Sequence, residues 1–215
     1  MPLLDFYPLP EYKGYIGIWE LEEDESFFLN RLDLHPEEAS EVQNLKGGRK
    51  LEWLSARYLL NRVVSEPGKT ICLKDAAGKP FLVNSASHIS ISHSHNRTAV
   101  IYASRPTGID IQLIVPKIER IGPKYLSEQE WQWAKTSTSF IEILHLFWGA
   151  KEAIYKAYGK KGVEFSQNIR IPQHQYVKGW NEFKVTLLID SAEHIYEVYG
   201  KCAEQYMLVW CIEKD

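Results

Sequence analysis

The stretch Ser104-Arg105-Pro106-Thr107-Gly108-Ile109-Asp110-Ile111-Gln112 lies almost at the midpoint of a chain of 215 residues. Its first five residues, with Ser, Pro and Gly together, read as a short linker, and the residues after Gly108 alternate as a strand does. The strand period of two places Ile109 and Ile111 on one face and Asp110 and Gln112 on the other. Taken alone, this pattern describes an edge strand whose polar face meets water. A break here divides the chain into halves of 1–105 and 106–215.

Outward from that break, each half offers strands and one long helix. Before it, Tyr15-Ile16-Gly17-Ile18-Trp19 reads as a strand, and the acidic run Glu20-Leu21-Glu22-Glu23-Asp24-Glu25 as a solvated helix start. Residues 48–64 lack Pro and internal Gly and carry Leu51, Leu54, Tyr58, Leu59 and Val63 at helical spacing, until Pro67-Gly68 stops the helix. Asp75-Ala76-Ala77-Gly78-Lys79-Pro80 is turn-like. Residues 89–102 read as strand, loop, strand, with Ser92-His93-Ser94-His95-Asn96 in the bend. After the break, residues 127–135 and 140–158 are helical in pattern, Gly159-Lys160-Lys161-Gly162 ends the second helix, and the remainder is strand-rich. The order predicts an α+β fold of two similar lobes packed face to face, although no repeat is legible in the residues themselves.

Composition narrows the chemistry. A hydrophobic content of 45% suffices for a sizeable core. Twenty-five Lys and Arg against 28 Asp and Glu give a net charge of −3, which calls for neither nucleic acid nor an anionic membrane. An anionic ligand must then meet a local basic patch. Cys72, Cys202 and Cys211 are too few and too scattered for a disulfide framework or a structural zinc site. With no leader-like start and no run approaching the ~18 apolar residues of a membrane span, the expectation is a soluble cytoplasmic protein.

Three clusters carry candidate chemistry. On the second long helix, at about 100° per residue, His145, Gly149, Glu152 and Lys156 share one stripe, while Leu144, Phe147, Trp148, Lys151 and Tyr155 lie toward another. Glu152 and Lys156 have the spacing of an ordinary i, i+4 ion pair. They also suit a joint role with Asp110, two carboxylates holding Mg²⁺ against a diphosphate while the ammonium stabilises a leaving oxygen. On the first long helix Arg49, Trp53 and Arg57 recur every four residues, which fits either a solvated stripe or a grip on phosphate and an aromatic base. Ser92, His93 and Ser94 suit phosphate or nucleotide binding, and the pair His93 and His95 with His88 nearby raises a zinc reading that lacks further ligands.

Together, Arg49 with Glu52-Trp53-Leu54-Ser55-Ala56-Arg57, Gly78-Lys79-Pro80, Ile91-Ser92-His93-Ser94, Gly108-Ile109-Asp110-Ile111, and Phe147-Trp148-Gly149-Ala150-Lys151-Glu152-Ala153 with Lys156 resemble the 4′-phosphopantetheinyl transferases. The resemblance is to the larger, pseudo-dimeric type that serves siderophore, peptide, surfactin and polyketide synthases and acyl carrier proteins. It implies two lobes related by a pseudo-twofold axis, each a small, mostly antiparallel sheet on a long helix, with the active site at their interface. The implied activity is transfer of the 4′-phosphopantetheine of coenzyme A to a serine of an apo acyl or peptidyl carrier protein, with Mg²⁺, giving holo carrier protein and 3′,5′-ADP.

By the same resemblance, residues 1–105 supply nucleotide and phosphate contacts and 106–215 the metal and catalytic residues. Asp110 and Glu152 match metal ligands, and Glu152 and Lys156 the catalytic pair. Arg49, Arg57, Lys79, Pro80, Ser92 and His93 match coenzyme A contacts, joined by Asp110 and Lys156. Glu130 matches a further acidic position near the metal. Gln112 departs from the pattern, standing where a third acidic ligand is common, and as a neutral amide it would bind metal weakly or through a water. The segment Leu113-Ile114-Val115-Pro116-Lys117-Ile118-Glu119-Arg120-Ile121-Gly122-Pro123 with Lys124 reads as a packed loop or as a carrier-docking surface with apolar anchors and basic Lys117, Arg120 and Lys124. A monomer is expected. The rival readings are a relative that only binds coenzyme A or carrier protein, and a zinc-dependent hydrolase built on His88, His93 and His95.

Overall fold

The computed structural model of the chain describes residues 3–214. By internal contacts the chain separates into two compact units, Met1–Arg105 and Pro106–Asp215. The first unit runs β1 (Leu3–Leu9), β2 (Gly14–Glu20), α1 (Glu25–Leu29), α2 (Pro36–Gln43), α3 (Gly48–Val63), β3 (Cys72–Lys74), β4 (Pro80–Leu82), β5 (His88–Ser94) and β6 (Arg97–Ala103). The second runs β7 (Thr107–Leu113), α4 (Gly122–Tyr125), α5 (Glu128–Lys135), α6 (Phe140–Tyr158), α7 (Phe165–Asn168), β8 (Ile169–Arg170), β9 (Trp180–Ile189), β10 (Ala192–Ala203) and β11 (Tyr206–Glu213). Every strand pairing among the described residues is antiparallel.

In the first unit the sheet order is β1-β2-β6-β5, with β3 and β4 forming a separate hairpin. The α3 helix begins after Gly47, whose φ of 55° suits glycine, and buries Leu54, Leu59, Leu60 and Val63 against Ile89, Val100 and Tyr102. Each such side chain withdrawn from water contributes about 1.5–3 kcal/mol. The acidic run resolves differently from a continuous helix start. Only Asp24, capping Phe27 N–H, and Glu25 belong to α1, while Glu23 accepts from the Trp19 indole. Between β5 and β6 the bend is confined to His95 and Asn96, with His95 at φ 54°, so Ser92, His93 and Ser94 lie in a paired strand and not in a loop.

In the second unit the order is β7-β11-β10-β9-β8, which makes β7 an edge. The α6 helix covers one face and ends at Gly159, at φ 69°, whose N–H returns to Tyr155 O. Asp110 pairs with Val209 and Gln112 with Met207, and both β11 partners belong to the core under α6. Directly paired residues share a face, so Asp110 and Gln112 point toward α6 and not into water. Gly108 shares that face. A Cβ added there would stand 1.8 Å from Ala153 O and 2.7 Å from Ala153 C. Gly149 answers from the helix side, where a Cβ would meet Val209 Cγ2 at 2.6 Å. Gly108 lets the backbones of α6 and β7 approach, and Gly149 seats the helix over Val209 of the neighbouring β11, so that the polar side chains of helix and edge strand meet. Among the described residues no helix is long and apolar enough to cross a membrane.

Because the obstacle at Gly108 is helix backbone, nothing flexible can yield. Gly108→Ala is expected to cost about 2–4 kcal/mol, against less than about 1 kcal/mol for Gly48→Ala, which meets nothing within 4 Å. Urea unfolding of the two variants measures the difference.

Candidate active site

The α6 face laid on β7 carries His145, Gly149, Ala153 and Lys156 in successive turns. Lys156 Nζ donates to Asp110 Oδ1 at 2.8 Å and to Ile109 O at 2.9 Å. Asp110 is buried, and the Lys156 side chain keeps 26% of its surface exposed. Glu152, half-buried on the adjoining turn, has its carboxyl pushed above the usual range, first by burial and then by the charge of Asp110, with Lys156 opposing. Asp110, Glu152 and Lys156 therefore form one electrostatic cluster.

Gln112 and His145 complete it. Gln112 Nε2 donates to Asp110 Oδ2 and to His145 O, both at 3.1 Å, while Gln112 Oε1 lies 2.5 Å from His145 Nδ1. Val115 N–H donates to His145 Nε2 at 3.0 Å. Burial lowers the His145 pKa against the Val115 backbone hydrogen bond and the charges of Asp110 and Glu142, which favours the neutral ring. The amide carbonyl of Gln112 is thus spent on His145, and the side chain presents its NH₂ to Asp110. In this arrangement the group that Gln112 turns to Asp110 is a donor, not the carbonyl oxygen expected of a weak metal ligand.

Glu130 is likewise placed elsewhere. It is buried; Oε2 accepts from Lys151 Nζ and Ser127 N at 2.8 Å, and Oε1 from Ile171 N at 2.9 Å. Lys151, fully buried, also donates to Phe165 O and Ile169 O, and burial lowers its pKa against the pull of Glu130. The pair joins α5, α6 and the chain before and after β8. Glu130 serves the fold with both oxygens and is not in the Asp110 cluster. Its partner Lys151 was legible only as a lysine on an otherwise apolar helical stripe.

Among the described residues no group of three or more His, Cys, Asp or Glu side chains is placed to hold a metal. The zinc reading fails on strand parity as well: His88 and His93 lie on opposite faces of β5, and His95 is in the turn. Mg²⁺ is different, because it binds through one or two carboxylates with substrate phosphates and water filling the rest. Asp110 and Glu152, two neighbouring carboxylates of which one is held above its usual pKa, fit that ion.

In the first unit, Arg49, Trp53, Arg57, Pro80 and His93 line a cavity of about 360 Å³, with Lys74, Glu41 and Glu52 beside them. Arg57 is committed to the fold: Nε meets Glu38 Oε1 at 3.0 Å, Nη2 meets Cys72 O at 3.0 Å, and the guanidinium lies 4.4 Å from the Trp53 ring. Arg49 is exposed, and His93 Nδ1 stands 3.4 Å from Glu52 Oε2. Ser92 is buried on the strand face opposite His93, so the two do not line one surface, and Lys79 is not among the lining residues. A larger cavity, about 540 Å³, opens beside the N-terminus of α6 between Trp133, Thr136, His174 and Tyr176 and contains none of the expected site residues.

The family comparison bears on the second unit. Residues 106–211 match the 4′-phosphopantetheinyl transferase superfamily, a stretch that contains Asp110, Gln112, His145, Glu152 and Lys156. Among solved structures, the holo-[acyl-carrier-protein] synthase of Thermotoga maritima is similar at 17% identity with a TM-score of 0.36, over 51% of this chain and 63% of that one. A search of the curated proteins finds no match.

Removing one partner of a buried ion pair strands the other. Glu130→Ala and Arg57→Ala are each expected to lower stability by about 3–5 kcal/mol, whereas Arg49→Ala, at an exposed position, changes it by less than about 0.5 kcal/mol. Denaturant midpoints of the three variants provide the check.

Proposed function

We propose that the chain transfers the 4′-phosphopantetheine of coenzyme A to a serine of an apo carrier protein, as a transferase of the larger, two-lobed type. The observation that carries this reading is the convergence of Asp110, Glu152 and Lys156 within the stretch that matches the superfamily. Residues 1–105 contribute nucleotide contacts from the cavity of Arg49, Trp53, Pro80 and His93, and residues 106–215 the diphosphate and acceptor chemistry. Mg²⁺ held by Asp110 and Glu152 would neutralise diphosphate charge.

The remaining work falls to the chain's own groups. Glu152, whose carboxyl is held above its usual range by burial and by Asp110, takes the proton of the carrier serine. The serine oxygen forms its bond to the β-phosphorus of coenzyme A in line with the departing oxygen, whose bond to that phosphorus breaks. Lys156 neutralises the departing oxygen of 3′,5′-ADP and supplies it a proton. Asp110, bonded to Lys156, fixes where the ammonium points.

Docking falls to segment 113–124. Its apolar anchors differ from the expectation: Ile118 is buried, and Ile114 and Ile121 pack on the core. What remains outward is Val115, Pro116 and Pro123 with Lys117, Arg120 and Lys124 and one acidic side chain, Glu119, a net cationic surface with apolar contacts that suits an acidic carrier helix.

Incubation with coenzyme A, Mg²⁺ and several apo carrier proteins, followed by intact mass, is expected to show one phosphopantetheine added to at least one carrier. Asp110→Ala is expected to abolish the addition; full activity in that variant rejects the reading. Lys156→Ala should lower kcat by about 10²–10³ while the coenzyme A Kd changes little, a split visible in kinetics beside calorimetry. Charge reversal at Arg120 and Lys124 should raise KM for the carrier about tenfold and leave that for coenzyme A unmoved.

A further inference from the structure

We propose that Gln112 and His145 form an uncharged positioning relay that sets the orientation of the Asp110 carboxylate and couples it to the backbone of Val115. The relay is defined by four contacts whose donor and acceptor roles determine one another. Val115 N–H can only donate, so His145 Nε2, 3.0 Å away, must accept. A neutral ring with Nε2 unprotonated carries its proton on Nδ1, and Nδ1–H then donates to Gln112 Oε1. With Oε1 so placed, Gln112 Nε2 faces two acceptors, Asp110 Oδ2 and His145 O.

The alternative arrangement fails at several points together. If Nε2 carried the proton and gave it to Val115 O at 3.1 Å, Val115 N–H would lose its acceptor. Nδ1 would then need the amide NH₂, and the flipped Gln112 would turn its carbonyl oxygen against Asp110 Oδ2 and His145 O, oxygen to oxygen in both cases. His145 is 2% exposed, so water does not rescue the mismatch at the Gln112 amide.

The consequence is an arrangement in which a neutral donor holds one carboxylate oxygen of Asp110 while Lys156 holds the other. The same histidine anchors the first turn of the basic segment 113–124, so displacement of Val115 would be felt at Asp110. The link from this relay to metal and carrier rests on the transferase reading; the relay itself does not. Outer partners of metal-binding side chains commonly carry 10–100-fold effects on affinity.

Two measurements on the full chain test it. Imidazole ¹⁵N NMR is expected to find His145 protonated at Nδ1 and bare at Nε2; the reverse tautomer overturns the proposal. Calorimetry with Mg²⁺ alone then compares three variants. Gln112→Met, which keeps length but removes the amide, should weaken Mg²⁺ binding about tenfold. His145→Gln, whose amide reaches the Nε2 position but not Nδ1, should do the same, and His145→Asn, which restores a donor at the Nδ1 position, should stay within about twofold of the parent. Equal behaviour of the Asn and Gln variants, or unchanged affinity in Gln112→Met, refutes the relay. Should a His145 variant fail to fold, the tautomer and Gln112→Met still decide. If the parent chain neither binds Mg²⁺ nor modifies a carrier, the transferase reading falls while the tautomer continues to judge the relay.

Discussion

The closeness of α6 to the edge strand β7 is the constraint from which the second unit's site follows. Gly108 removes the side chain that would hold the two backbones apart, and Gly149, one turn closer to the helix start, makes room for Val209 of the neighbouring β11 and for the Gln112 amide. An edge strand ordinarily turns polar residues to water. Here the helix lies on that polar face, so Asp110 and Gln112 are desolvated and must find partners on α6, which they do in Lys156 and His145. Packing thus precedes chemistry. The polar cluster exists because the two glycines permit an approach that polar side chains alone would resist.

Buried charge is used in two ways in this chain. Lys151 with Glu130 and Arg57 with Glu38 are closed arrangements in which the charges meet each other, backbone N–H groups and carbonyls, each tying helices to the chain around a short strand. Desolvation makes such pairs weak contributors to stability but costly to break. The Asp110 cluster is open by comparison: Lys156 keeps a quarter of its side chain exposed, and Glu152 is half-buried with a carboxyl whose charge burial and Asp110 both disfavour. A closed pair has no unmet electrostatic demand. The open cluster has one, and a cationic ligand would meet it.

Periodicity made the long elements legible. The 3.6-residue pattern located α3 and α6, and the stripe of His145, Gly149 and Lys156 is the face that meets β7. Strand parity also separated Asp110 from Ile109 correctly, but a single strand has no information about which of its faces a helix will cover. The β10 strand was not individually legible, because its hairpin turn uses Asp190 and Ser191, at φ 49° and 67°, in place of glycine. The loop assigned to Ser92 and His93 failed because a two-residue bend suffices at His95 and Asn96. Glu130 and Arg57 matched functional positions by residue type, yet their partners Lys151 and Glu38 lie 21 and 19 residues away in sequence. Pairings of that kind are tertiary facts, invisible to local pattern.

Gln112 is the position where sequence and structure together say more than either does. As a bare substitution it reads as a lost ligand. In place, its NH₂ stands 3.1 Å from Asp110 Oδ2, and a carboxylate at the same spot would meet Asp110 with a repulsion on the order of 5 kcal/mol at an effective dielectric of about 20. Such a third acid is tolerable only where a cation constantly offsets it or the side chain swings away. The amide turns that repulsion into a hydrogen bond and leaves Lys156 facing two carboxylates, not three. The cluster therefore keeps its geometry without a bound cation, and the demand for one is concentrated on Glu152 instead of spread across the site. Neutrality at 112 is a way of pre-forming the site, and it is the burial imposed by α6 that makes pre-forming necessary.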